Sequence, residues 1–198
     1  MGSIKQTELI VIGASQGGYE ALCGILENLV KNFLIPVVVV YHRAKNSDWN
    51  YLHEQFSRYT FKEVREIENY ELIKPRSIYF APPDYHVLFE DRKTLVTSFD
   101  DYVNYSRPSI DILFESACSW YKKNLMGILL TGANNDGAKG LHGIAAAGGY
   151  TAVQNPVEAL APKMPQSAIE IFLPDTVAGL KEISNLMNVA NIYFREKI

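Results

Sequence analysis

The chain has 198 residues, 47% of them hydrophobic, with 19 basic and 22 acidic side chains and a formal net charge of −3. That composition supports one sizeable core and lacks the positive footprint that a nucleic-acid-binding surface needs. The longest purely aliphatic run, residues 37–40, is far too short to cross a bilayer, and the start lacks the apolar stretch of a secretory signal. A cytoplasmic protein without membrane insertion is therefore expected.

Strand-like and helix-like segments alternate along the chain. A buried strand over 9–12 leads into a helix over 19–30, where Leu22, Ile25, Leu26 and Leu29 recur on one face. After Pro36 comes a β-branched run to Tyr41, then a helix over 48–58 with Trp49, Leu52 and Phe56 on one side. Short strands are expected at 62–64 and 78–80. Residues 87–90 and 94–97 flank a polar turn at Asp91-Arg92 and read as an antiparallel β-hairpin beside the main sheet. Pro108-Ser109 opens a helix over 110–120, with Ile112, Leu113 and Ala117 turned inward. A strand over 126–130, a helix over 137–147 and a strand over 150–153 follow. Pro162 and Pro165 bracket a turn into a helix at 166–171, and a last amphipathic helix covers 180–189. This alternation predicts an α/β fold: a doubly wound, mainly parallel sheet with helices on both faces and an added antiparallel β-hairpin. Cys23 and Cys118 each fall within a predicted helix, far apart in sequence, and read as buried thiols rather than zinc ligands or a disulfide pair.

Three of the strand-like segments end in loops that carry different members of a hydrolase triad: Ser15, His42 and Asp136. In an open parallel sheet, ligands bind beyond the carboxyl ends of the strands, so residues distant in sequence meet on one edge. Each residue also has a plainer reading. Ser15 and Asp136 precede predicted helices and suit N-capping, and His42 suits a polar strand end. The loop Gly13-Ala14-Ser15-Gln16-Gly17-Gly18 matches neither the dinucleotide fingerprint G-x-G-x-x-G nor the nucleophile elbow G-x-S-x-G, and no Walker lysine follows. His53, His86 and His142 lack metal-site spacing and read as surface or hydrogen-bonded histidines; no metal and no organic cofactor is expected.

Further motifs make the pattern specific. Ile12-Gly13-Ala14-Ser15-Gln16-Gly17-Gly18, the run Tyr79-Phe80-Ala81-Pro82-Pro83-Asp84-Tyr85-His86, and Arg107-Pro108-Ser109-Ile110-Asp111 resemble segments of the catalytic domain of CheB-type chemoreceptor protein-glutamate methylesterases. So do Leu130-Thr131-Gly132 with Asp136-Gly137-Ala138, Gln154-Asn155, and Met164-Pro165 with Ser167-Ala168-Ile169. The resemblance implies a nucleophile at Ser15, a general base at His42 and a triad aspartate at Asp136. It implies oxyanion donors among the backbone N–H groups near Gln16 and Ala133, and no cofactor. The implied activity is hydrolysis of glutamate γ-methyl esters on a methyl-accepting chemotaxis receptor, with deamidation of receptor glutamines beside it. The partners implied are the receptor's cytoplasmic helices and, as a candidate, a separate receiver protein. Residues 7–198 are expected to form the catalytic domain, with no N-terminal receiver domain.

The chain departs from the family pattern at Gln16, where a small hydroxyl residue is usual, at Ala133-Asn134 in place of Met-Gly, and at Arg43-Ala44 in place of Met-Pro. These positions are expected to line the site. They keep two competing readings open: a non-catalytic receptor-docking or regulatory module that retains the fold, and an esterase for another ester.

Overall fold

The computed structural model describes residues 2–197. Its centre is strand β1 (Leu9–Ala14), buried along its whole length because six small or aliphatic residues face packed layers on both sides. Helix α1 (Gly18–Glu27) carries the chain back to β2 (Val37–Tyr41), which pairs in parallel with β1. There follow α2 (Trp49–Ser57), β3 (Glu63–Glu66), β4 (Glu71–Leu72), β5 (Ser77–Phe80), β6 (His86–Phe89) and β7 (Thr94–Ser98). The second half runs through α3 (Ile110–Tyr121), β8 (Leu125–Leu129), α4 (Ala138–Ala146), β9 (Tyr150–Gln154), α5 (Lys163–Ile171), β10 (Thr176–Ala178) and α6 (Leu180–Arg195).

Seven strands form one parallel sheet in the order β10-β9-β8-β1-β2-β5-β3. The chain winds outward from β1 through β2 and then crosses to β8 on its other side, so β1 is the switch point of a doubly wound sheet. Side chains alternate across it: Ile10, Ile12 and Ala14 join a core with Leu22, Ile25 and Leu26 of α1, Phe56 of α2 and Ile183 and Met187 of α6. Leu9 and Val11 join the opposite core, with Leu113 and Phe114 of α3, Leu141 and Ile144 of α4, and Met164 and Ala168 of α5.

Four sequence expectations need correction. The inserted hairpin is one part of a three-stranded antiparallel sheet in the order β4-β7-β6, because Glu71-Leu72 pairs with β7. Two residues are too few to show a period. Helix α5 starts at Lys163 rather than 166, with Pro162 as its cap and Pro165 in the first turn, where no backbone donor is missed. The edge strand β10 was not expected at all, since three residues between Asp175 and Gly179 carry no strand signal. Helix α6 runs six residues beyond 189, because Asn188 and Asn191 interrupt its apolar stripe. Both asparagines are staples: Asn191 accepts from Leu34 N–H at 2.6 Å and donates to Asn32 O, and Asn188 accepts from Val30 N–H at 3.0 Å. They tie α6 to the connection between α1 and β2.

Gly13 lets α3 sit close over the end of β1, since a methyl group there would overlap the Ile110 side chain and approach Leu129. Gly13→Ala should therefore cost about 1–3 kcal/mol through overpacking, read as a lower urea midpoint with an unchanged slope. An unchanged midpoint would show that α3 is not held against this strand.

Candidate active site

The carboxyl ends of β8, β1 and β2, three adjacent strands, open onto one edge, and from them come Asp136, Ser15 and His42. The β1–β2 ladder continues one step past the strands, with His42 N–H donating to Ala14 O at 3.0 Å. On the other side Ser15 N–H donates to Thr131 O at 2.9 Å. Ser15 is thereby fastened at its backbone between the histidine and aspartate loops. The turn behind it needs Gly17, whose φ is 77°, and the next residue begins α1.

His42 and Asp136 meet directly: Nε2 lies 3.0 Å from Asp136 Oδ2, with the imidazole 14% exposed and the carboxylate fully buried. Asp136 accepts four more hydrogen bonds. Ser109 Oγ donates to Oδ1 at 2.8 Å, Asn104 Nδ2 to Oδ1 at 3.0 Å, Ile110 N–H to Oδ2 at 2.7 Å and Asp111 N–H to Oδ1 at 3.2 Å. Ser109 is the N-cap of α3 and the two backbone donors are its first N–H groups, so the positive end of that helix faces the anion. Burial pulls the Asp136 carboxyl upward, but the bonds from His42, Ile110 and Asn104 outweigh it and hold it below the ordinary 3.8. In the neutral tautomer that donates Nε2–H to this carboxylate, Nδ1 is the free ring nitrogen.

Among the described residues Ser15 Oγ has no hydrogen-bond partner, so the structure joins His42 to Asp136 and leaves the serine hydroxyl uncommitted on the adjoining strand end. The backbone N–H groups of Gln16 and Ala133 likewise make no hydrogen bond to a described residue. The loops bearing them are braced by Thr131, whose hydroxyl donates to Gln16 O at 2.9 Å and accepts from Ala161 N–H at 2.8 Å. Gln154 Oε1 in turn accepts from Thr131 N–H at 2.8 Å. Ala133, Ala161, Pro162, Lys163 and Gln166 line a cavity of about 470 Å³ beside the aspartate loop. A larger cleft, about 580 Å³ between residues such as Glu8, Pro36, Lys74 and Arg92, opens at the amino ends of β1 and β2, the edge where parallel sheets do not bind ligands.

The departures from the family pattern sit differently from one another. The Gln16 side chain is exposed, and Ala133 does line the cavity. Arg43 is committed to partners of its own on the β3 side of this edge. Its guanidinium is nearly buried and pairs with Glu66, donates to Ser47 Oγ at 3.0 Å and lies 5.4 Å from the Trp49 ring. His86 and Asn134 hold the loops around Asp136. His86 is buried, accepts from Ser109 N–H at Nδ1 and so donates from Nε2 to Asp101 O, fixing the start of α3. Asn134 accepts from Asp136 N–H at 3.2 Å and donates to Ser106 Oγ at 3.3 Å. Of the other histidines, His53 is exposed near Trp49 and His142 stacks on Phe172. Cys23 is buried and Cys118 only half-buried; both are free. Among the described residues no three His, Cys, Asp or Glu side chains converge as a metal site requires, and no helix is long and apolar enough to cross a membrane.

A carboxyl whose folded pKa lies below its unfolded one binds fewer protons when folded, so its stabilisation is present at neutral pH and lost as pH falls below 3.8 and through the folded value. Asp136→Asn should cost about 2–4 kcal/mol at pH 7, because two or more buried donors lose their acceptor. The deficit relative to the native chain should shrink as pH falls through that window. Urea midpoints of both proteins against pH test this, and parallel curves would count against it.

The CheB methylesterase family model matches residues 10–187. A Leptospira interrogans protein named, provisionally, protein-glutamate methylesterase/protein-glutamine glutaminase is 45% identical over 181 residues, covering 90% of this chain and 92% of that one. The protein-glutamate methylesterase/protein-glutamine glutaminase of Photorhabdus laumondii is 33% identical over 93% of this chain, and the chain spans only 53% of its length. The crystal structure of the Thermotoga maritima CheB methylesterase catalytic domain superposes with a TM-score of 0.86 at 30% identity, over 92% of this chain and 98% of that one. On this evidence the chain belongs to the CheB methylesterase family.

Proposed function

We propose that residues 7–198 act as one catalytic domain, a serine hydrolase that removes methyl groups from glutamate γ-methyl esters on the cytoplasmic helices of a chemotaxis receptor. The products are glutamate and methanol; receptor glutamines, as amides of the same acyl group, would release ammonia instead. The observation that carries this reading is the His42–Asp136 pair at 3.0 Å on the strand end next to Ser15, in a chain of the CheB methylesterase family.

In this mechanism Ser15 Oγ attacks the γ-carbonyl carbon while His42 Nδ1 takes its proton, which requires the hydroxyl to come within hydrogen-bond reach of that nitrogen, a contact that often tightens only when substrate is bound. Asp136 holds the ring in the tautomer that leaves Nδ1 free and stabilises the imidazolium. The carbonyl oxygen becomes an oxyanion, for which the uncommitted N–H groups of Gln16 and Ala133 are the candidate donors; each such donor is worth roughly 3–4 kcal/mol in the transition state. When the tetrahedral intermediate collapses, the proton on His42 passes to the departing methoxide and methanol leaves. Water then attacks the glutamyl ester of Ser15, giving its proton to His42, which returns it to the serine oxygen. Since the oxyanion donors are main-chain groups, the Gln16 and Ala133 side chains leave this role intact. The engagement of Arg43 with Glu66 removes one reason to read the chain as a non-catalytic docking module.

Ser15→Ala should lower methanol release from methyl-labelled receptor membranes by roughly a thousandfold or more while leaving the urea midpoint unchanged. A variant that still released label at the native rate would sink the nucleophile assignment. A native protein that hydrolyses generic esters and never the receptor would redirect the substrate.

A further inference from the structure

We infer that Asn104 is a positioning residue for the reaction, whose side-chain amide holds the triad aspartate in place by bridging it to a second buried carboxylate, Asp111. Asn104 Nδ2 donates to Asp111 Oδ2 at 2.8 Å and to Asp136 Oδ1 at 3.0 Å. An amide nitrogen carries two protons, so each carboxylate receives one and the group is fully used. The two carboxylates are 4% and 0% exposed and repel one another, and Asn104 is the side chain that donates to both. Asp111 also accepts from Gly140 N–H at 2.7 Å, which fixes it to the start of α4. Burial raises its pKa despite that bond, and the charge of Asp136 adds to the rise. The groups facing Asp136 are thus His42 from the end of β2, Asp111 from α3, and the uncharged donors of Asn104, Ser109 and the helix N-terminus. Glu115, one turn along α3, adds to the field on Asp111.

The backbone is shaped for this contact against local preference. Val103 and Ser106 pair by two backbone hydrogen bonds across a two-residue turn, and Asn104 and Tyr105 both have positive φ, 50° and 59°. Such a turn favours Asn at its first central position and Gly at its second. Here the second is Tyr105, fully exposed and held in a conformation that a side chain with a Cβ disfavours. The turn aims the Asn104 amide inward at the carboxylates, and Tyr105 does not share that contact.

Two glycine variants separate the amide from the turn, because glycine adopts positive φ freely. Asn104→Gly keeps the turn and loses the donor; Tyr105→Gly keeps both. The kinetic part rests on the hydrolase reading, whereas the titration part does not. In Asn104→Gly, kcat should fall about 10- to 100-fold with KM nearly unchanged, the loss of one charge-assisted hydrogen bond. The Asp136 carboxyl, followed by carbon NMR, should titrate about one pH unit higher than in the native protein. Tyr105→Gly should match the native protein in both. Should Asn104→Gly fail to fold, Asn104→Ser, whose single hydroxyl proton can serve at most one of the two carboxylates, should move kcat and the Asp136 titration in the same directions by a smaller amount. An unmoved Asp136 titration in the folded Asn104 variant overturns the inference, as does an equal loss of kcat in Tyr105→Gly. If the native protein hydrolyses no receptor ester, the functional reading fails and the titration alone decides the role of Asn104.

Discussion

A carboxylate with no exposed surface is the constraint around which the working edge of this molecule is arranged. An isolated buried anion would cost several kcal/mol, and the fold offsets that cost by bringing five donors to Asp136 from three places in the sequence. Helix α3 supplies two backbone N–H groups and its cap hydroxyl, which would otherwise need partners of their own. The aspartate thus completes the start of the helix, and the helix keeps the aspartate ionised. His42 enters as the fifth donor, so the proton on its Nε2 is fixed by the same anion.

The sheet topology explains why these groups meet. Because the chain leaves β1 toward β2 and returns to β8 on the far side, the first strand is flanked by two strands whose loops point the same way. The serine sits on the middle strand, with the histidine on one side and the aspartate on the other. Gly13, Gly17 and Gly132 keep this edge tight, with Ile110, Leu160 and Met164 packed where their Cβ atoms would be. Those same contacts draw α3 and α5 over the strand ends, so the packing of the second core and the geometry of the site are one arrangement.

The strand ends bearing Ser15, His42 and Asp136 were legible in the sequence because buried parallel strands announce themselves as uninterrupted apolar runs, and a polar residue just after such a run has only one edge to occupy. The two-layer architecture was legible for the same reason. What supports Asp136 and the loops beside it was not. Asn104 and Tyr105 form a turn whose second residue contradicts the usual signal, and His86 lies in a strand where only its hydrogen bonds to Ser109 and Asp101 reveal a role. Thr131 and Gln154 brace two loops through contacts between residues 23 and 115 positions apart. Arg43 follows the histidine in sequence, and its pairing with Glu66, at the carboxyl end of β3, draws it along this edge toward the outer strand.

The network around Asp136 has a consequence for how variants here should be read. A donor removed from a buried carboxylate destabilises the fold and alters the ionisation of the same group, so stability and rate fall together and neither measures the contact alone. The two effects separate by pH. Stabilisation by an acid with a depressed pKa disappears once both folded and unfolded states are protonated, whereas the proposed reaction needs an ionised aspartate beside His42 wherever the base must be neutral and correctly turned. Near neutral pH both effects act. Toward the acid side of the aspartate titration the stability difference closes while the protonated carboxyl no longer stabilises an imidazolium. The donors on Asp136 therefore differ in kind only through what else they hold: Ser109 and Ile110 hold a helix, His42 is the base of the proposed reaction, and Asn104 holds a second carboxylate.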